Sequence, residues 1–196
     1  MTKVFTALSV SVDGYITGRD PGAGRGLGDA TMLFDWYFSG DTPSQVFDGF
    51  RLSEASAAVF DAEASRVGVS LVGRNTYDDS GWGDGGTPHP QAPLVVLSHR
   101  PVPVNERQTH VSTGIEEAVT TARELAGSKD VALMGGGVVT AALRAGLLDE
   151  VLLHQVPVLL GAGRRFFGDL SEHVELNLLD AVPAPGVTHL KYEVVR

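Results

Sequence analysis

The sequence predicts an α/β fold: a mostly parallel central sheet flanked by helices, with an antiparallel edge near the C-terminus. Three observations predict it. Short apolar, β-branched runs recur at Val4–Val10, Val69–Val72, Leu94–Leu97 and Val131–Met134, as expected of strands buried on both faces. Helical segments separate several of these runs, and strand–helix alternation at such lengths favours parallel pairing. Closely spaced strands at Glu150–Val158 and Leu190–Val195 then suit antiparallel pairing at one edge.

The elements follow in order. After the first strand, Asp13-Gly14 marks a turn, and the glycine-rich stretch Asp20–Gly28 reads as a surface loop or lid. Thr31–Phe38 predicts a helical turn with Leu33, Trp36 and Tyr37 inward. Ser53–Arg66 predicts a helix whose apolar stripe is Ala55, Ala58, Val59 and Ala62. The strand Val69–Val72 ends at Gly73-Arg74-Asn75-Thr76, and Asp79–Pro93, rich in Gly, Pro and Asp, is a loop. Thr113 followed by Glu116 has the spacing of a capping box, and Gly127 is placed to end that helix. Its apolar side is Ile115, Val119, Ala122 and Leu125. Val131–Met134 runs directly into Gly135-Gly136-Gly137 and a helix through Leu143, closed at Gly146.

Composition narrows the function classes. A chain of 196 residues, 43% hydrophobic and 20% charged, fits one globular domain spanning 1–196. Its net charge of -9 argues against a nucleic-acid or anionic-membrane binder. It has no cysteine, which removes disulfides and thiolate metal sites and suits a reducing cytoplasm. The histidines lack metal-ligand spacing, so no metal is expected. No apolar run approaches the roughly 20 residues that span a bilayer, and the first ten residues read as a strand, not a signal peptide.

The chemistry concentrates at strand ends. A buried strand that delivers Gly135, Gly136 and Gly137 to a helix N-terminus brings free N–H groups and a favourable dipole to an anion. The alternative is a tight strand-to-helix turn. The segment is not a Rossmann fingerprint, because Val138-Val139-Thr140 supplies no last glycine. Gly73-Arg74-Asn75-Thr76 offers a guanidinium, an amide and a hydroxyl at a second strand end. Ser98 and Arg100 follow a third and suit a ribose 2′-phosphate. In a parallel sheet these ends share one rim, where α/β ligands bind.

These residues, taken together, resemble a known family. Ser9–Ile16 resembles the S-x-D-G-x-I segment of the riboflavin-biosynthesis reductase (RibD C-terminal) domain, and Val72–Tyr77 resembles the M-G-R-x-T-[WY] element shared with dihydrofolate reductases. Gly135–Gly137 is similar to the G-G-G after the fifth strand. His154–Gly163 is similar to the H-x-x-P-x-x-x-G-x-G stretch of the riboflavin branch. The resemblance runs in order over nearly the whole chain. It implies a dihydrofolate-reductase-like fold, a stand-alone member of that family, and NADPH bound in extended form. The phosphates would meet Gly73, Arg74, Asn75 and Thr76, with Ser98 and Arg100 near the 2′-phosphate. Gly135, Gly136, Gly137, Val138 and Val139 would carry the pyrophosphate and border the nicotinamide site, which Ala7 and Ile16 would touch.

The acceptor side is less determined. Dihydrofolate reductases place an acid three positions before a tryptophan; here that position before Trp36 is Leu33, while Asp35 is adjacent. Asp35 and Trp36 are candidates beside the substrate, and Asp13 is a candidate for proton transfer or a turn cap. Arg164 and Arg165 suit a substrate phosphate or a solvated hairpin. Trp36, Tyr37, Phe47 and Phe50 suit a flat-ring pocket or core, and His154 reads as a buried histidine. The reading is an NADPH-dependent reductase acting on a small flat heterocycle or imine. A true dihydrofolate reductase and a nucleotide-binding protein without turnover stand as alternatives. No H-x-E or P-C-x-x-C zinc-deaminase pattern occurs. The resemblance also implies a homodimer.

Overall fold

The computed structural model describes residues 2–196. An eight-stranded sheet forms the centre. In chain order the elements are β1 (Val4–Ser11), the two-residue strands β2 (Thr42–Pro43) and β3 (Arg51–Leu52), α1 (Glu54–Ser65), β4 (Val67–Gly73) and α2 (Arg74–Asp79). They continue with β5 (Leu94–Leu97), β6 (Gln108–Val111), α3 (Ile115–Ala126), β7 (Asp130–Met134) and α4 (Gly136–Arg144). The chain closes with β8 (Glu150–Val156), β9 (Leu176–Ala184) and β10 (Val187–Val194). The strand order is β6-β5-β4-β7-β1-β8-β10-β9. Pairing is parallel from β6 to β8 and antiparallel for β10 against both β8 and β9. The expected mostly parallel sheet with an antiparallel C-terminal edge is therefore present.

Each face of the sheet has its own core. On one, α3 and α4 lay Val119, Ala122 and Val139 over Val69, Leu71, Leu133 and Val151. On the other, Trp36, Leu52 and Ala57 pack with Phe60, while Phe5, Val67 and Leu152 form a smaller cluster. Thr31–Phe38 is a 3₁₀ helix with Leu33 and Trp36 buried.

Several local expectations are corrected. Helix α1 buries Ser56, Ala57, Glu63 and Ala64, whereas Ala58 and Ala62 of the expected stripe are exposed. With alanines all round, the helix has little apolar preference, and its orientation follows specific anchors instead. Ser56 Oγ lies 3.0 Å from His189 Nε2, and Lys191 Nζ donates to Glu63 Oε1 at 3.0 Å. At α3 the N-cap is Gly114, at φ +149°, not Thr113, so the capping box does not form; Leu125 faces outward. Strand β6 was not legible because Gln108-Thr109-His110-Val111 lacks an apolar run. Strand β9 was not legible because it is an edge strand with most of its residues exposed.

Candidate active site

Parallel strands deliver their C-terminal ends to one rim, and a cavity of about 750 Å³ opens there. Its floor is Leu8 and Ser9 of β1. One wall is Gly73–Thr76, where β4 becomes α2, and another is Gly135–Val138, where β7 becomes α4. The volume lies within the range of small-molecule and cofactor sites. Both glycine-bearing strand ends singled out in the sequence therefore face a single space.

The three glycines of the second wall do different work. Gly135 has φ +102°, and a Cβ there would overlap Thr76 Oγ1. Gly136 packs so closely on the 165–166 backbone that a Cβ would overlap the Arg165 carbonyl oxygen and lie 2.9 Å from that of Phe166. Both are needed by the fold itself. Gly137 is exposed, and a Cβ there would meet nothing within 4 Å. Its bare backbone opens onto the cavity, beside N–H groups of the first turn of α4 that precede the first intrahelical acceptor.

Another part of the lining is apolar and suits a flat ring. Ile16, Leu27 and Phe34 line it. Leu27 comes from the glycine-rich 20–28 loop, so this loop forms part of the wall. Trp82 and Leu97 extend the cavity toward the third strand end. Ser98 and Arg100 lie just beyond the lining. The Ser98 hydroxyl donates to the Arg100 carbonyl at 2.8 Å and accepts the Arg100 N–H at 3.1 Å, closing the turn, while the Arg100 side chain is exposed. Arg74 lines the cavity with its guanidinium braced: Nε donates to Asp78 at 2.7 Å and Nη1 to the Pro101 carbonyl at 3.1 Å.

Besides Ser98 and Arg100, further sequence candidates lie outside the cavity lining. Asp13 accepts hydrogen bonds from the Ser11 hydroxyl (2.6 Å) and from the N–H groups of Gly161 (2.7 Å) and Leu160 (3.1 Å). The Ser11 bond first, then these backbone bonds, hold its pKa down at about 2. It clamps the 160–161 turn onto β1 and points no proton at the site. Asp35 is exposed on the outer side of its 3₁₀ helix. Trp36 is buried at 1% exposure and packs on His154 and His189, donating from Nε1 to Ser9 Oγ at 2.9 Å. It reaches the cavity only by orienting Ser9. Val139 is wholly buried in the α4 core, and Ala7 packs with the cluster around Phe5.

Arg164 and Arg165 both line the cavity. The turn before them is fixed by Gly163, at φ +132°, which packs on the Thr17 and Gly18 backbone. The Gly161-Ala162-Gly163 run was therefore the available signal. Arg164 Nη1 pairs with Asp79 Oδ2. Asp79, the last residue of α2, is the one carboxylate lining the cavity among the described residues. The sequence pattern places it at the start of a loop, and no spacing marks it.

The model of the RibD C-terminal domain matches residues 2–187. The chain belongs to the RibD C-terminal domain family. Membership places it among oxidoreductases of the riboflavin-biosynthesis reductase type, on a fold that binds a nicotinamide cofactor. Among solved structures, a protein assigned to riboflavin biosynthesis from Shewanella sp. PV-4 is 25% identical, with a TM-score of 0.71 and 100% of both chains covered. A pyrimidine reductase-like protein from Corynebacterium diphtheriae is 15% identical, at TM-score 0.64, covering 100% of this chain and 92% of that one. Dihydrofolate reductase from Enterococcus faecalis, solved with NADP(H), is 16% identical at TM-score 0.58, covering 99% and 97%. The last two likenesses establish the dihydrofolate-reductase-like fold. Comparison with curated proteins gave no match. No helix among the described residues is long and apolar enough to cross a membrane.

Proposed function

We propose that the protein is an NADPH-dependent reductase passing hydride to a small flat heterocycle or imine. The observation that carries this reading is one cavity of about 750 Å³ whose lining combines two kinds of surface. Bare glycine backbone and a helix N-terminus suit a pyrophosphate. Ile16, Leu27 and Phe34 suit a flat ring. Gly137 gives the fit its sharpest support, since nothing in the protein occupies the place of its missing Cβ.

In this reading Gly73, Asn75 and Thr76 meet the phosphates while Arg74 lends charge from its braced position. Gly137 and Val138 border the pyrophosphate, Ile16 borders the nicotinamide, and Arg100 reaches a 2′-phosphate beyond Leu97. Bound NADPH would supply the hydride; the chain's part is to align donor and acceptor and to keep water off the apolar end. Dihydrofolate reduction is the less favoured reading, because Leu33 is buried at 0% exposure and Asp35 faces solvent. The same proposal includes a homodimer and a cytoplasmic setting; Leu178 and Leu179 on the β9 edge strand, 58% and 50% exposed, suit an interface between copies. Sedimentation of the purified chain tests the dimer.

The cofactor assignment is tested by titrating NADPH and NADH against intrinsic tryptophan fluorescence. NADPH binds at least tenfold more tightly, and Arg100→Ala narrows that gap to within about threefold, a loss of roughly 0.7 kcal/mol, in the range of an exposed ion pair. Equal affinities in the unaltered protein would remove the 2′-phosphate role. NADPH binding with no oxidation by any pterin, pyrimidine or cyclic imine would leave a binding protein, not a reductase.

A further inference from the structure

We propose that the Ser9 hydroxyl, oriented by the Trp36 indole, donates a hydrogen bond to the acceptor nitrogen that receives the electron pair when hydride adds to the neighbouring carbon. This rests on the reductase reading above and gives that same cavity a catalytic donor.

Three adjacent strands set the hydroxyl in place. Ser9 of β1 pairs with His154 of β8, which pairs with His189 of β10, so the three side chains share one face of the sheet. The Trp36 ring packs on both histidines, at centroid distances of 4.9 and 5.1 Å, and on Phe60 at 5.7 Å. Its Nε1–H is thereby aimed at Ser9 Oγ, 2.9 Å away. An indole N–H only donates, so Ser9 accepts from Trp36 and keeps its own proton. The Tyr37 phenol stands beside the same oxygen, and burial pushes its pKa up to about 12, so it too has a proton to donate. Among the described residues Ser9 Oγ is bonded as an acceptor, from Trp36, and donates to no carbonyl or carboxylate. Yet Ser9 is only 5% exposed and lines the cavity, so its O–H is a directed donor awaiting a partner there.

The strand also sets which occupant that donor meets. Successive strand residues face opposite sides. Leu8 packs in the core that holds Val138 and Ile16, whereas Ser9 faces the side of Trp36, where Leu27 packs and Phe34 lies 5.4 Å from Tyr37. The hydroxyl therefore addresses a flat ring resting on Leu27 and Phe34, not the phosphates. Hydride addition to a C=N carbon forms a C–H bond and moves the π pair to nitrogen, which water then protonates. A fixed donor at that nitrogen stabilises the charge as it develops.

The test uses the whole chain saturated with NADP+ and two flat probes of one shape. Isoquinoline, neutral at about pH 8, has a ring nitrogen that accepts a hydrogen bond; naphthalene has a C–H in its place. Binding is followed by the two indole N–H resonances of the 15N-labelled protein, Trp36 and Trp82, told apart with Trp82→Phe. The unaltered protein binds isoquinoline at least about fivefold more tightly than naphthalene, the fold-change of one net hydrogen bond. Isoquinoline also moves the Trp36 indole proton further downfield than naphthalene does, because an oxygen that donates onward accepts more strongly. Ser9→Ala brings the two probes within about twofold of each other and leaves NADP+ affinity within about twofold. It moves the Trp36 resonance upfield as the indole loses its acceptor. A hydroxyl that merely satisfies the indole would give that upfield shift with the isoquinoline preference intact, and this result overturns the proposal. So does equal binding of the probes by the unaltered protein, binding of neither, or loss of NADP+ binding in Ser9→Ala. Should that variant not fold, the probe preference and the Trp36 shift in the unaltered protein decide. Failure of NADP+ to bind the unaltered protein removes the reductase reading itself.

Discussion

Adjacent glycines at the start of α4 give a paired perturbation with opposite outcomes. In Gly137→Ala the new Cβ meets nothing within 4 Å, so the protein needs no rearrangement to accept it. The residue lies in α4, where alanine is favoured over glycine by up to about 1 kcal/mol. Folding stability is thus unchanged or raised by up to about 1 kcal/mol, or roughly 2–4 °C in Tm for a chain of this size. The same methyl group projects where a pyrophosphate would approach, and NADPH affinity falls at least tenfold. In Gly136→Ala the Cβ would overlap the Arg165 carbonyl oxygen and lie 2.9 Å from the Phe166 oxygen. Backbone must move, which costs about 1–3 kcal/mol, or roughly 2–12 °C in Tm. Differential scanning fluorimetry and NADPH titration on both variants separate the effects. NADPH binding to Gly137→Ala as tightly as to the unaltered protein would refute the pyrophosphate assignment. An undiminished Tm in Gly136→Ala would refute the packing argument.

Two predictions concern stability far from the cavity. Arg66 joins Asp130 (3.1 Å), Glu150 (2.8 Å) and Glu63 (2.5 Å) and lies over the Phe5 ring at 3.7 Å; Arg66→Ala leaves the nearly buried Glu150 to Lys3 and Lys191 alone and costs about 1–3 kcal/mol. Chemical denaturation checks this, and a cost below 1 kcal/mol would show the network to be solvent-like. His154 and His189 meet at Nδ1–Nδ1 2.8 Å, which requires one donor and one acceptor and so forbids two imidazoliums; burial lowers their pKa values to about 3 and about 4, keeping both neutral near pH 7. Folded values below the unfolded 6.5 mean that stability is full above about pH 7 and declines from pH 6.5 downward, by roughly 2 kcal/mol per histidine at pH 5. Denaturation midpoints that stay flat from pH 7 to 5, or an acid slope unaltered in His189→Gln, would contradict it.

What was legible in the sequence follows from how each feature is encoded. Strands β1, β4, β5 and β7 announced themselves because burial on both faces forces continuous apolar runs, and the two glycine-bearing strand ends because sterically open backbone demands glycine. The meaning of Gly135 and Gly136 was less legible. A ligand and a close internal contact demand the same residue, and only the packing of Thr76 and of the 165–166 backbone separates them. Asp13 and Trp36 carried ambiguous signals for a related reason: a carboxylate or an indole in a family-like motif serves equally well as a clamp on the 160–161 turn or as a brace on Ser9. The α1 stripe failed because its alanines barely distinguish one face from another, leaving Ser56, Glu63 and Phe60 to choose.

The acceptor side was hidden for a geometric reason. Helix α2 has six residues, at about 1.5 Å each a span of roughly 9 Å. That length lets one element line the cavity twice: with Gly73–Thr76 at its start, and with Asp79 at its finish, which meets Arg164 from the far turn. The acid next to Trp36 lies outside the cavity because that 3₁₀ helix turns Leu33 and Trp36 into the core and Asp35 to solvent. On the proposed reading, the cofactor and acceptor parts of the cavity are therefore mechanically linked through α2. A shift of its first turn, such as crowding at Gly135 against Thr76 would cause, carries Asp79 with it. It should accordingly weaken acceptor binding even where the acceptor touches no altered residue.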